Sequence, residues 1–183
     1  PYNSFKTISF TYNDNGKFSL IIEHIYSEEE ITAINYIVET KIKEIINDNM
    51  STEEKIKKIH DYVIDSTKYD SLKNDNINDD TYKSNTAYGV LIQGYGICSG
   101  YADAMALFLN YYDIPNYKIA SENHVWNAVY LDGEWYHLDL TWDDPILNTG
   151  EEILDHAYFL ITKEELKTLD TTQHNFDETI FKE

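Results

Sequence analysis

The chain has 183 residues, of which 42% are hydrophobic and 14% aromatic, a composition typical of one globular domain with a sizeable core. Its 33 acidic and 14 basic residues give a net charge of -19, which argues against nucleic-acid and anionic-lipid partners, because both need lysine or arginine contacts. The apolar runs are too short for insertion into a membrane. The single cysteine excludes an internal disulfide and a cysteine-rich zinc site.

The first part of the chain predicts a β-hairpin and two helices. The alternating runs KTISFTY and KFSLIIEH flank Asn15-Gly16, and both residues of this dipeptide tolerate the positive φ of a hairpin turn. A serine followed three positions later by a glutamate, at Ser27 and again at Ser51, is the capping-box pattern that starts a helix. In the second helix we expect one buried apolar stripe, formed by Ile56, Ile59, Tyr62 and Val63.

Polar residues near these helices give no sign of a metal site. His60 and Asp61 lie beside the apolar stripe, where structural roles are the expectation. Residues 70–86 are rich in Asn and Asp and predict a surface loop. The acidic spacing and the glycine of a calcium-binding loop are missing from this segment. We therefore expect neither a metal nor a cofactor.

The second half predicts a helix, a hairpin and a short tail. A helix begins at Cys98 or Ser99 and places one apolar face inward, formed by Tyr101, Ala104, Met105, Phe108 and Leu109. The strands HVWNAVYL and EWYHLDLTW flank the turn Asp132-Gly133. The tail contains a strand-like run, AYFLIT, and a last helix, TKEELKTL, starting at Thr162.

Cys98 is a candidate nucleophile because of its place at a helix start. Gly96 and Gly100 flank it and permit close approach of another backbone. The first amide groups of a helix are unpaired and carry positive partial charge, which favours a reactive thiolate and can hold an oxyanion. A small residue packed at a helix start is the equally weighted alternative.

A thiol nucleophile also needs a base and a group that orients the base. If Leu131 pairs with Glu134 across the turn, the extended register places His124 and Asp139 on one face as diagonal neighbours. Asp139 would then hold one imidazole nitrogen of His124 and leave the other for Cys98. His137 shares this face as a supporting or packing residue. The alternative is an ordinary buried polar pair, and a one-residue register slip would separate the two residues.

Three segments together resemble the bacterial branch of the transglutaminase-like superfamily. They are EKIKKIHDYVIDSTKYD, GYGICSGYADAMALFL and HVWNAVYLDGEWYHLDLTWDDP, and they run from about Glu53 to Pro145. The resemblance implies an α+β, papain-like fold, in which a helix bearing the cysteine packs on an antiparallel sheet bearing histidine and aspartate. It implies Cys98 as nucleophile, His124 as general base and acid, and Asp139 as orienting residue. The N-terminal hairpin and first helix lie outside it.

The cleft around this triad has further candidates. Gln93, five residues before Cys98, is a candidate second oxyanion donor, with a polar loop residue as the alternative. Trp126 and Trp142 are candidate cleft walls, and core packing is the alternative for both. Asn127 points to the face opposite His124 and is expected to be structural. Calcium, which some members of the superfamily need, has no evident site.

The chemistry that the resemblance implies is acyl transfer at an amide carbonyl through a thioester. Hydrolysis by a cysteine peptidase or amidase, acting on protein or cell-wall peptide amides, is placed slightly ahead of glutamine cross-linking by a transglutaminase. A non-catalytic binding module, with residues 70–86 blocking the cleft, is the third alternative.

We expect one domain over 1–183, with an extension over 1–50 and the core over 51–160. The absence of a starting Met suggests a trimmed piece of a longer, extracellular or cell-envelope protein, with the cytoplasm as the alternative. No oligomeric state is predicted.

Overall fold

The computed structural model describes residues 5–146, 153–170 and 172–181, apart from the side chains of residues 180 and 181. Its strands are β1 (Phe5–Tyr12), β2 (Phe18–His24), β3 (Lys68–Tyr69), β4 (Tyr95–Gly96), β5 (Asn116–Ala120), β6 (Val125–Leu131) and β7 (Glu134–Leu138). Its α-helices are α1 (Glu28–Ile45), α2 (Thr52–Asp65), α3 (Ser71–Asp75), α4 (Cys98–Tyr111) and α5 (Lys163–Leu169). A π-helical turn spans Gly89–Gln93, and a 3₁₀ turn spans Glu178–Phe181. No helix among these residues combines the length and the apolar character needed to cross a bilayer.

The N-terminal hairpin forms as predicted, but its turn is longer than the dipeptide suggests. Residues 13–17 connect β1 to β2, and of the two predicted turn residues only Gly16 adopts a positive φ. The Asn13 side chain accepts hydrogen bonds from the backbone amides of Asn15 and Lys17 and so closes the wider loop. Both faces of this two-stranded ribbon are largely exposed.

Helices α1 and α2 begin at the predicted capping boxes and supply much of the core. Ser27 and Ser51 each accept the amide of the glutamate three residues later, and that glutamate side chain accepts the serine amide in return. Helix α1 buries Ile34, Val38 and Ile42 in the main cluster. The predicted stripe of α2 is buried at Ile56, Ile59 and Val63, whereas Tyr62 is only half-buried.

Helix α4 packs on an antiparallel sheet with the order β5-β6-β7. All five residues of its predicted inward face are buried, namely Tyr101, Ala104, Met105, Phe108 and Leu109. The predicted turn is present: Leu131 pairs with Glu134, and Asp132 and Gly133 both have positive φ. The register continues to the pair Asn127 and Leu138, as expected. Strand β5 was not expected from the sequence, because its run is short and directly follows Pro115, a residue that interrupts regular structure.

The segment 70–86 departs from the predicted surface loop. Asp70 is buried, caps α3 through the amide of Lys73, and accepts the Ser84 hydroxyl at 2.5 Å. A Cβ placed on Gly100 would overlap the carbonyl oxygen of Ser84, so this glycine permits the close backbone approach that the sequence suggested. The segment is therefore packed against the start of α4, and its polar composition reflects internal hydrogen bonds as well as exposure.

The predicted tail strand over residues 157–162 does not form. Only Ile161 bridges to β7, at His137. Leu160 has φ 48°, a left-handed conformation that interrupts an extended strand, and the Tyr158 amide is bound by the Asp143 carboxylate at 2.8 Å. The last helix, α5, begins after Thr162 with a capping box, as predicted.

Candidate active site

Cys98 is the first residue of α4, and the helix start around it has no side-chain cap. Ile97 occupies the N-cap position and offers no side-chain acceptor to the first-turn amides. Within the described residues, α1, α2, α3 and α5 are each capped by a serine, threonine or aspartate side chain. The first turn of α4 also contains no acidic residue. The Gly100 and Tyr101 amides donate to the Ile97 carbonyl, so among the described residues the amides of Cys98 and Ser99, with the positive end of the helix, are the ones available to a thiolate or an oxyanion.

His124 lies immediately before β6 and Asp139 immediately after β7, so the hairpin register brings them together. The Nε2 atom of His124 is 2.5 Å from Oδ2 of Asp139. The side chain of Cys98 also helps to raise the pKa of this imidazole, and because Nε2 is bound to Asp139, Nδ1 is the nitrogen left for the thiol. Cys98 is half-buried, whereas His124 and Asp139 are buried. The three predicted residues thus form one connected chain of side chains.

Asp139 is held from several directions at once. Its Oδ1 accepts the backbone amides of Thr141 at 2.9 Å and Trp142 at 3.2 Å. This cap turns the chain after Leu138 and explains why β7 is shorter than the predicted strand. Its Oδ2 contacts both His124 and, at 2.8 Å, Nε2 of His174. The carboxylate therefore has both oxygens in use and a single orientation.

Hydrogen bonds set the charge states of His124 and Asp139. Burial acts to raise the pKa of Asp139, but the bonds from His124 and His174 outweigh it and leave this pKa below its usual value. Burial acts to lower the pKa of His124, but the bonds to Asp139 and Cys98 outweigh it and raise this pKa to about 9. The site therefore favours an imidazolium at His124 beside the ionised carboxylate of Asp139.

His174 is a part of the site that the sequence reasoning missed. Its Nδ1 lies 2.8 Å from Oδ2 of Asp170, so its ring bridges Asp170 and Asp139. The ring is buried and stacks on Tyr158, with centroids 5.3 Å apart. Its only sequence signal was a lone histidine in a polar tail, and the tail's return to the sheet is a tertiary feature. Asp170 and His174 support Asp139 from behind.

A cleft of about 570 Å³ opens beside Cys98. Its walls include Cys98 and His124, and the other lining residues are Tyr69, Asn74, Asn123, Thr141, Trp142, Asp144, Pro145, Ile146 and Gln173. Tyr69, at the end of β3, and Asn74, in the 70–86 segment, lie in the walls of the cleft, so this segment lines the cleft rather than filling it. Burial, followed by the negative charge of Cys98, raises the pKa of Tyr69, which reflects how near its hydroxyl is to the thiol.

The remaining candidates lie at different depths. Trp142 lines the cleft, as suggested, whereas Trp126 is 1% exposed and is not among the lining residues. Trp126 stacks on His124, and its Nε1 donates to Nδ1 of His137 at 3.0 Å. Burial and the charge of His174 lower the pKa of His137 to about 4, which keeps its ring neutral as an acceptor. Trp126 therefore packs beneath the imidazole of His124.

Gln93 and Asn127 also bind backbone groups away from the cleft. The side-chain oxygen of Gln93 accepts the Lys83 amide at 2.8 Å, and Gln93 is not among the cleft-lining residues. The geometry therefore gives its predicted role as an oxyanion donor no support. Asn127 donates to the carbonyl of Ala102 at 3.0 Å and so ties β6 to α4, in keeping with a structural role.

The sequence pattern of the transglutaminase-like superfamily matches residues 39–140, more than half of the chain. The chain belongs to the transglutaminase-like superfamily. Members of this superfamily are generally enzymes of the transglutaminase or cysteine-protease type, which agrees with the resemblance carried by the motifs around Cys98 and His124. No curated protein matches this transglutaminase-like chain.

Two solved structures are similar to this transglutaminase-like chain. The crystal structure of a TGase has a TM-score of 0.53 at 17% identity, over 75% of this chain and 44% of the TGase. A proposed cysteine protease from Cytophaga hutchinsonii has a TM-score of 0.45 at 13% identity, over 88% of this chain and 70% of that one. The chain thus spans less than half the length of the TGase. With the family match, the likeness to the TGase confirms the predicted α+β, papain-like fold.

Proposed function

We propose that this transglutaminase-like chain is a thiol-dependent hydrolase of amide bonds, a cysteine peptidase or amidase. The observation that carries the proposal is the bonded pair of His124 and Asp139 placed beside Cys98, with Cys98 and His124 lining the same cleft. A nucleophile, a base and an orienting carboxylate are the groups that acyl transfer through a thioester requires. The uncapped start of α4 adds donors for the oxyanion.

The proposed mechanism gives each step to one side chain. The Cys98 thiolate attacks the substrate carbonyl, and the carbonyl oxygen becomes an oxyanion held by amides at the start of α4. The His124 imidazolium then protonates the leaving amine, and a thioester remains on Cys98. Neutral His124 next takes a proton from water, which attacks the thioester and releases the acid. Asp139 holds the ring through Nε2 and stabilises its charged form throughout.

The cleft suits a peptide that enters from solvent. Asn74, Asn123 and Gln173 give its walls side-chain amides that can bind a peptide backbone, and the thiol is half-buried. Water reaches such an open site without a separate channel, which favours hydrolysis of the thioester. A protein or cell-wall peptide is therefore the proposed substrate, encountered outside the cell or in its envelope. The net charge of -19 favours encounter with basic partners.

The test separates hydrolysis from cross-linking. A glutamine-containing peptide donor is incubated with and without a labelled primary amine, and released ammonia, released acid and incorporated label are measured. We expect release of acid and little label, because water resolves the thioester. Faster entry of label than hydrolysis would replace the proposal with transglutaminase activity. If mass spectrometry of the intact protein detects no thioester after incubation with the acyl donor, that result would instead favour the binding-module alternative.

The proposal also predicts the alkaline limb of the pH profile. His124 must be protonated to act as the acid, and the bonds to Asp139 and Cys98 that oppose its burial keep its pKa at about 9. We expect kcat/KM to fall about tenfold per pH unit once the pH rises through that value. In the Asp139→Asn variant the alkaline limb should begin at a lower pH than in the wild type, because the carboxylate that raises the pKa of His124 is gone. An alkaline limb at the same pH in both proteins would contradict the assignment of this limb to His124.

A further inference from the structure

A second group of histidine and aspartate side chains lies outside the cleft, between α2 and the segment that follows Asp143. The Nδ1 atom of His60 is 3.0 Å from Oδ1 of Asp61, and Nε2 of His156 is 2.7 Å from the same oxygen. One ligand atom from each of the three residues lies within 4.8 Å of the other two. None of them is among the residues that line the Cys98 cleft. The three atoms therefore converge on one point away from the catalytic groups.

His60 is oriented for this point by a buried carboxylate. The residue is fully buried, and its Nε2 lies 3.1 Å from Oδ2 of Asp143. The other oxygen of Asp143 accepts the Tyr158 amide at 2.8 Å. With Nε2 donating to the carboxylate, Nδ1 presents a lone pair to the cluster. A carboxylate behind the imidazole in this way is the common support of metal-binding histidines.

The polar atoms of the cluster are not all matched as hydrogen bonds. When His60 is neutral and Nε2 donates to Asp143, the lone pair of Nδ1 faces an acceptor oxygen of Asp61. The Nε2 atom of His156 contacts both this acceptor oxygen and the ammonium of Lys57, and one nitrogen cannot accept from one and donate to the other at once. Protonation of His60 would satisfy the first contact and leave the second in conflict. A cation bound by all three atoms would remove both conflicts.

We propose that His60, Asp61 and His156 bind one divalent transition-metal ion of the zinc class. Two imidazole nitrogens and one carboxylate oxygen suit zinc far better than calcium or magnesium, which prefer oxygen. The side chains of Asp61 and His156 are 27% and 36% exposed, so the ion and a water ligand can reach the site. Lys57 occupies the neighbourhood of the ion, but its side chain is 45% exposed and can swing into solvent.

Such an ion would link two parts of the chain that are distant in sequence. Asp61 lies on α2, whereas His156 precedes the segment whose Tyr158 carbonyl accepts the Asp139 amide at 3.2 Å. Metal binding would therefore hold the segment around Tyr158, which bonds Asp139, against α2. It would also raise the thermal stability of the folded chain.

The test is a Zn²⁺ titration against a chromophoric chelator, on protein carrying Cys98→Ala so that no thiolate competes. We expect one equivalent to bind and to raise Tm. His156→Ala should weaken binding at least about tenfold and abolish the Tm shift, since it removes a ligand. His24→Ala, which removes an exposed histidine of β2, is the matched control and should bind as its parent. Both histidines lie outside the buried core, so these variants are expected to fold.

A second variant predicts a gain. Lys57→Met removes the ammonium that competes with the ion and should raise Zn²⁺ affinity severalfold, an effect that a purely structural role of Lys57 would not produce. No binding in the micromolar range, unchanged binding in His156→Ala, or unchanged or weaker binding in Lys57→Met would each overturn the proposal.

Discussion

Cys98→Ala should abolish turnover while the protein stays folded. The thiolate is the group that forms the thioester, and loss of a triad nucleophile costs on the order of 10⁶ in kcat in a comparable protease. The residue is half-buried and the substitution removes one sulfur atom, so the core changes little. The measurement is kcat/KM on an amide substrate, with circular dichroism and Tm as the record of the fold.

Ser66→Ala is the control for this variant. It removes a comparable small polar group at the end of α2, where its hydroxyl donates to the Val63 carbonyl at 3.3 Å, and Ser66 is not among the cleft-lining residues. It should retain wild-type kcat/KM. Turnover by a folded Cys98→Ala protein would exclude a thioester on this residue and return Cys98 to the alternative of a packing residue.

Asp139→Asn should lower kcat/KM by up to about 10⁴, by analogy with the aspartate of serine triads. The reason lies in the amides of Thr141 and Trp142, which require an acceptor at the Oδ1 position. The asparagine oxygen must occupy that position, so its NH₂ group faces Nε2 of His124. Nε2 then becomes the acceptor, the proton moves to Nδ1, and the ring can no longer take a proton from Cys98.

Alkylation of Cys98 reports the same coupling without a substrate. At pH 6, iodoacetamide should modify the thiol faster in the wild type than in Asp139→Asn or His124→Ala, because both variants lose the imidazolium that stabilises the thiolate. Asp113→Asn is the matched control: Asp113 lies in the turn after α4 with φ 53°, which asparagine tolerates. An unchanged rate in Asp139→Asn would show that the bond to His124 does not tune the thiol.

Local signals in the sequence determined most of the elements and the catalytic candidates. The capping boxes at Ser27 and Ser51 act within one helical turn, so they predict helix starts with no knowledge of the fold. The Asp132-Gly133 turn sets the register of its two strands, and that register alone predicts the contact of His124 with Asp139. The cysteine at the start of α4 followed from glycines and helical periodicity.

The tertiary structure decided what surrounds those candidates. The approach of His174 to Asp139 and the meeting of His60 with His156 each join residues far apart in sequence, and Gln93 binds the Lys83 amide instead of lining the cleft. The run 157–162 has the composition of a strand, yet Asp143 binds one of its amides and Leu160 turns left-handed. Sequence patterns report the next turn or the next strand, whereas these contacts depend on how the whole chain packs.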